Sequence, residues 1–456
     1  MDKSHILELI RNHRAFFATG KTKDLSFRIE QIKILRKAIN DHEAAIFEAL
    51  RRDLNKPAFE AYGGDTAIVI NEIDHTLKHL RAWAKPKRVR TPLAYFPSRS
   101  FVLPEPYGVA LIMGPWNFPF QLLFGPLVGA MAAGNCVLLK PPIAAPHSAH
   151  LIAKIVSDNF DPAYLSLVGG GAEAGQMLLE EKFDYIFFTG GPATGRLVMQ
   201  AAARHLTPVT LELGGKNPCI VDADTHLDYT ARRIVWGKFF NTGQSCVAVD
   251  HLLVDKRIKQ RLLDLIVKHV NEFYGVDPAQ SPDYGRIVND AHFDRLSSLL
   301  GQGTIIAGGQ SDRATRYIAP TIIDDIKGRE PVMEDEIFGP LLPVIEYDDL
   351  TEAIAMVNSR PKPLALYFFS RDKKKQELVL SQTSSGGGCI NDTTIHETTR
   401  LPFGGVGESG IGKYHGKASF DTFSHSRSIV KNGFLFDVPL RYPPYKDHLK
   451  WLKRFF

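Results

Sequence analysis

Residues 106–139 read PYGVALIMGPWNFPFQLLFGPLVGAMAAGNCVLL and contain no charged side chain. A bilayer-spanning helix needs only about 20 consecutive apolar residues, so length alone would allow a membrane segment. Pro115, Pro119, Pro126, Asn117 and Asn135 argue otherwise, because they divide the run into strand, turn, helix, turn and strand. Strands that are apolar throughout, rather than in alternation, belong to parallel sheets covered on both faces. The stretch is therefore read as the heart of a doubly wound α/β sheet.

The same rhythm continues on the C-terminal side. CVLLK, YLSLV and YIFFT are each separated by a helical stretch, one of them starting near His147. A second run opens near Val209 with VTLEL and NPCIV, then a helix through LDYTARRIVWGKFF, a cysteine loop, VAVDHLLV, and a long amphipathic helix. Before residue 90 the pattern is helical, with apolar residues spaced by three and four. KPKRVRTPLAYFPSRSFVLPEPYG is basic and Pro-rich, and suits a hairpin that leaves the main fold at an interface.

A chain of 456 residues exceeds one core on the scale of roughly 150 residues per domain, so two or three domains are expected. Net charge is +5, from 55 basic and 50 acidic residues without a long basic run, which gives no basis for nucleic-acid binding. Cys136, Cys219, Cys246 and Cys389 lie far apart with no CxxC pair, excluding a disulfide framework or a zinc site. The charged N-terminal stretch lacks the apolar segment of a signal peptide, and a cytoplasmic location is expected.

Four short stretches carry chemistry, each with a plainer alternative. In FFTGGPATGRLV, Gly190 and Gly195 follow a strand and open a helix, where free N–H groups favour a phosphate; the alternative is an ordinary βα turn. In VTLELGGKNP, Glu212 ends an apolar strand, and burial would raise it toward the affinity of a general base; pairing with Lys216 or Arg204 is the alternative. In NTGQSC, Cys246 follows Gly243 and a polar run that could give it access and backbone donors, or it is a buried filler, as Cys136 is expected to be. In GPWNFPF, Asn117 could donate to an oxyanion or could cap a turn.

Taken in order, GPWNFP, AAGNCVLLKP, FFTGGPATG, LELGGKNP, FFNTGQSCVA, EDEIFGPLLPV and LPFGGVGESGIGKYHGKASFDTFSH resemble the NAD(P)-dependent aldehyde dehydrogenase superfamily over residues 24–445. The short N-terminus, PDYGRIV, GGGCIND and RYPPY are similar to its class 3 branch of fatty and aromatic aldehyde dehydrogenases. The resemblance implies two doubly wound sheets: a Rossmann-like cofactor domain (1–208, with 90–104 as an excursion) and a catalytic domain (209–403). It also implies a bridging segment (404–437) that makes a homodimer, and leaves 438–456 as an amphipathic tail. Cys246 would be the nucleophile, Glu212 the base, and Asn117 with the Cys246 N–H the oxyanion site. Lys140 would contact the adenosine ribose, and the turn Gly190–Gly191–Gly195 the pyrophosphate. Glu336 and Phe338 would fix the nicotinamide ribose and ring. The implied reaction is oxidation of a medium- or long-chain aliphatic or an aromatic aldehyde to its acid. It runs through a thiohemiacetal, hydride transfer to NAD or NADP, and a thioester hydrolysed by water. Phe118, Phe240 and Phe403 suit an apolar tunnel.

Two positions depart from the family pattern. KPPIAAP puts Ile143 where a carboxylate would hold a ribose 2′-hydroxyl and repel a 2′-phosphate, so use of NADP beside NAD is expected. Gly191 stands where serine is common. The tail YKDHLKWLKRFF, read as a helix, places Leu449, Trp451, Leu452, Phe455 and Phe456 opposite Lys446, Lys450, Lys453 and Arg454. It would either lie peripherally in a membrane interface or pack on the body near the substrate entrance. Rival readings are a nucleotide-independent cysteine esterase or acyltransferase, a CoA-acylating dehydrogenase, which would not need Glu212, and a non-catalytic binding protein.

Overall fold

The computed structural model describes residues 3–437 and 439–455. Its first sheet has six strands in the order Gly410–Ile411, Val209–Glu212, Tyr185–Thr189, Val109–Met113, Cys136–Lys140 and Leu165–Leu167. All neighbours run parallel except the short strand Gly410–Ile411. The uncharged run resolves as read: strand Val109–Met113, helix Gln121–Ala133, strand Cys136–Lys140, every residue of the three buried. Pro126 is not a break, however. It sits inside the helix, whose apolar surroundings on all sides hold it in place. Helix Pro146–Asn159 crosses to the edge strand, and helix Pro192–Ala203 leads to Val209–Glu212.

The second sheet has seven strands, in the order Thr304–Ala307, Thr321–Asp324, Leu341–Tyr347, His251–Asp255, Pro218–Val221, Ala365–Phe369 and Gly387–Ile390. Only Thr304–Ala307 is antiparallel to its neighbour. Helices Leu227–Phe239 and Lys259–Tyr274 pack together on this sheet's core. The boundary between the sheets differs from the sequence reading. Val209–Glu212, expected to open the second domain, pairs in parallel with Tyr185–Thr189 and completes the first sheet. Its apolar composition shows that it is buried, but cannot show by which sheet. The expected VAVDHLLV strand is likewise shorter: residues 246–250 remain loop and the strand starts at His251.

A third, antiparallel sheet joins Lys87–Val89, Arg99–Pro106 and Ser424–Lys431, bringing the basic hairpin and the C-terminal segment together. The tail forms helix His448–Phe455. Leu449, Trp451 and Leu452 are 59%, 50% and 54% exposed, so this helix does not bury its apolar face on the body. Phe456 lies outside the described residues. Among the described residues, no helix is long and apolar enough to cross a membrane.

Candidate active site

In open parallel sheets, ligands sit beyond the carboxyl ends of the strands. Glu212 occupies that end of Val209–Glu212, and the turns after Met113 and Thr189 emerge beside it. From the second sheet's side come the loop carrying Cys246 and the segment 334–338. Together they enclose a cleft of ≈ 420 Å³ whose walls include Asn117, Glu212, Cys246, Glu336 and Phe338. A much smaller cavity behind it is also bounded by both Glu212 and Cys246.

The cysteine loop is fixed by buried amides. Asn241, Thr242 and Gly243 follow one another with φ of 52°, 58° and 73°, a left-handed run that strains the two non-glycine residues. Only glycine fits at 243, where a Cβ would come within 2.3 Å of the Gly339 oxygen. Asn241 Nδ2 donates to the Asn117 carbonyl at 3.0 Å, and the Asn241 backbone N–H donates to the Glu60 carboxylate at 2.9 Å. Gln244 donates to the Arg286 carbonyl at 3.0 Å and accepts from the Val288 N–H at 3.0 Å. Asn217 Nδ2 donates to the Cys246 carbonyl at 2.7 Å and to Ala248 at 3.0 Å, while its oxygen accepts from Ala365 N–H. The loop that carries the thiol is thus held by residues from several segments. Desolvation, reinforced by Glu397, Glu336 and Glu212, pushes the affinity of Cys246 for the proton well above that of a free thiol.

Glu212 is buried, and neither carboxylate oxygen has a hydrogen-bond partner. Burial raises its pKa well above the usual carboxylate range, against the opposing charges of His415 and Lys413. The simple ion-pair alternative fails, since Lys216 turns away to Asp250 and to the carbonyls of Val332 and Asp335, each at 2.9 Å. Asn117 is also buried. It gives one amide hydrogen to the Gln244 carbonyl at 3.1 Å and leaves its side-chain oxygen unpaired. Its own carbonyl accepts from Lys56 at 2.9 Å, and Lys56 is buried in a 2.8 Å ion pair with Asp65.

The remaining expected residues divide into two groups. Gly190, Gly191, Glu336 and Phe338 line the cleft; Gly195 and Lys140 do not. Gly195 is small for a different reason: a Cβ there would come within 2.7 Å of Leu213, so it lets the helix pack on the strand end. Lys140 ends its strand nearby, with Nζ donating to Gly170 O at 2.7 Å and Pro141 O at 3.0 Å, so one of its three hydrogens is uncommitted. Helix Pro192–Ala203 begins on the cleft wall at Pro192 and has no side-chain cap, so no capping side chain satisfies the N–H groups of its first turn. Glu336 Oε1 also lacks a partner, and burial followed by the Asp250 charge lifts Glu336 to about 8. Gly214 makes room for it, because a Cβ would sit 1.8 Å from Glu336 Oε2. Phe338 holds φ of 50° and meets Trp116 edge-on at 5.3 Å. The uncapped helix start, the unsatisfied carboxylate and the aromatic wall together fit a dinucleotide. Among the described residues, no cluster could hold a metal.

Phe118 and Phe403 border the small cavity beside the thiol, and Phe240 stacks on Phe118 at 6.2 Å. A thiol, a buried carboxylate, a side-chain amide and an uncapped helix start therefore meet at one cleft with an apolar wall. The aldehyde dehydrogenase family model matches residues 1–429. The chain belongs to the aldehyde dehydrogenase family. It is 48% identical to the 4,4'-diaponeurosporen-aldehyde dehydrogenase of Staphylococcus aureus, covering 97% of each chain. It is 46% identical to the dimeric NADP-preferring aldehyde dehydrogenase of Rattus norvegicus, covering 97% of this chain and 98% of the relative. A solved structure described as the substrate-bound state of Staphylococcus aureus AldH superposes with a TM-score of 0.97 at 47% identity, covering 99% of both. Like its family, this aldehyde dehydrogenase is an NAD(P)-using oxidoreductase that converts an aldehyde to the acid.

Asn217, Gln244, Glu397 and His415 escaped the sequence reading. Asn217 lies in LELGGKNP, where an amide beside a Gly-Gly turn was a usable signal. Glu397 offered none, and His415, though it stands in LPFGGVGESGIGKYHGKASFDTFSH, is brought beside Glu397 and Glu72 only by the fold.

Proposed function

We propose that Cys246 attacks the carbonyl carbon of an apolar aldehyde and carries the acyl group as a thioester, which water activated by Glu212 then hydrolyses. The reading rests above all on Cys246 and Glu212 bounding the same two cavities, one open to a dinucleotide cleft and one lined by aromatic rings. The free hydrogen of the Asn117 amide and the Cys246 N–H hold the developing oxyanion. One such donor is worth roughly 10²–10³ in rate. Gly190, Gly191 and the start of helix Pro192–Ala203 cradle the pyrophosphate, Lys140 reaches the adenosine ribose, and Glu336 and Phe338 seat the nicotinamide end. Bound NAD(P)+ supplies the two-electron acceptor. Burial raises the proton affinity of both Cys246 and Glu212, so the thiol must lose its proton before attack and Glu212 must be ionised to activate water.

Medium- or long-chain aliphatic and aromatic aldehydes suit the rings of Phe118, Phe240 and Phe403. The name of the rat relative supports two further readings for this chain, use of NADP and assembly as a homodimer. Residues 1–208, 209–403 and 404–437 serve as cofactor, catalytic and bridging parts, with Val209–Glu212 contributed to the first sheet. The exposed apolar face of the tail supports peripheral membrane contact by an otherwise cytoplasmic enzyme. A panel of aldehydes of rising chain length, followed by absorbance of the reduced nucleotide with NAD and with NADP, tests the assignment. Turnover should rise with apolar length and vanish in Cys246→Ser. A Cys246→Ser enzyme as active as the parent would contradict it.

A further inference from the structure

Oxidation of an aldehyde by water and NAD(P)+ gives a carboxylate, the reduced nucleotide and two protons. While the dinucleotide fills the large cleft, those protons need another way out. Glu212 has no hydrogen-bond partner to receive its proton, yet behind it lies the small cavity, with room for about one water molecule, that it shares with Cys246 and Glu397. Glu397 also borders a separate surface groove of ≈ 940 Å³ between helix Ala67–Trp83 and residues 397–402. It is thus a carboxylate reaching both compartments.

Its setting is built with care. Gln121 donates to Glu397 Oε1 at 2.6 Å, and His415 Nε2 lies 3.5 Å from the same oxygen. His415 Nδ1 is 3.3 Å from Glu72, whose other oxygen accepts the Gly416 N–H at 2.6 Å. His415 and Glu72 are fully buried, and His415 holds φ of 76°, in the left-handed region. None of these contacts is required by the attack on the aldehyde.

We propose that Glu397 carries protons from the reaction cavity to this groove, with His415 and Glu72 as positioning residues. The inference rests on the site reading above. Glu212 takes a proton from water as its oxygen bonds to the thioester carbon and the C–S bond breaks. Glu212 then returns the proton through the cavity water to the Glu397 carboxylate, which releases it to solvent in the groove. Glu397 is faced by Gln121 of helix Gln121–Ala133, by Glu212 and Cys246, by Tyr414 and His415, and by its neighbour His396. Burial opposes charge on His415, but Glu397 and Glu72 outweigh it and raise it to about 9, so the imidazolium persists at neutral pH. Burial likewise opposes charge on Glu397, and His415 overcomes it, keeping Glu397 below its ordinary range. A carboxylate of this kind passes protons on without storing them.

The test is rapid mixing with aldehyde and NAD(P)+, which separates a burst of reduced nucleotide from steady turnover. Glu397→Gln should keep the burst and lose at least about tenfold in steady rate, within the usual range for a proton-transfer group. Millimolar formate or imidazole should restore part of the loss. A steady rate within twofold of the parent, or a lost burst in a folded variant, overturns the proposal; so does a loss that neither small acids nor Glu397→Asp restores. Should Glu397→Gln not fold, His415→Gln decides. Loss of the imidazolium should move the acid limb of kcat up by about a pH unit, and an unmoved limb overturns the proposal. Glu212→Gln is the control: if it turns over like the parent, the site reading itself fails, whatever Glu397 shows.

Discussion

Glu212 and Cys246 share an electrostatic problem. Burial raises the proton affinity of each, and the Glu212 carboxylate further disfavours ionisation of the Cys246 thiol. The rate should therefore rise with pH well beyond the ordinary carboxylate range and fall as pH drops through the raised pKa of Glu212. A kcat profile from pH 5 to 10 checks this; a flat profile down to pH 5 would contradict it. Asn117→Ala should lower kcat by about 10²–10³ with little effect on the unfolding midpoint, because its lost partner is a single carbonyl. At the cofactor end, Ile143 is 66% exposed and lies against Gly171, free to be replaced. Ile143→Glu should raise the ratio of kcat/KM for NAD over NADP at least tenfold. An unchanged ratio would mean that this position does not meet the ribose. Cys246, Glu212 and Asn117, which meet at one cleft, could be singled out as candidates because each stands in a short motif with a turn beside it. Glu397 and His415 were not: Glu397 stands outside the quoted motifs, and His415, though inside LPFGGVGESGIGKYHGKASFDTFSH, acquires meaning only from its burial against Glu397 and Glu72.

The elements show a similar division. Strands without alternation announced a covered parallel sheet, and the breakers in residues 106–139 placed its turns. Composition could not say which sheet Val209–Glu212 joins, because both edges offer equal burial. Nor could it show that Pro126 is tolerated inside a helix enclosed on every side. The loop before Cys246 is the element on which the site most depends, and its left-handed run has no margin at Gly243. Gly243→Ala would force a side chain against the Gly339 carbonyl, and should destabilise the fold by about 1–3 kcal/mol while lowering activity. Chemical denaturation compared with the parent measures it. A further test concerns the link His415 makes between helix Ala67–Trp83 and residues 397–402. Its raised pKa means that its contribution to stability is complete below pH 6.5 and is lost as pH rises through about 9. The difference in unfolding free energy between parent and His415→Gln should shrink between pH 7 and 10. A constant difference would show that the imidazole is uncharged in the fold.

At the scale of the molecule, two parallel sheets present their loops to one cleft, and each supplies half of the chemistry. On the proposed reading, the first provides the base, the amide donor and the phosphate-binding helix start; the second provides the sulfur and the nicotinamide seat. The third sheet, assembled from residues distant in sequence, lies apart from this cleft and is available for assembly. Sedimentation should give twice the mass of one chain, and a monomer at micromolar concentration would contradict the dimer. The decisive experiment returns to the sulfur. Glu212→Gln, mixed with an apolar aldehyde and NAD(P)+ and examined as intact protein by mass spectrometry, should accumulate one acyl group per chain, located by peptide mapping on Cys246. Absence of the adduct despite formation of reduced nucleotide, or its attachment to another residue, would contradict the account.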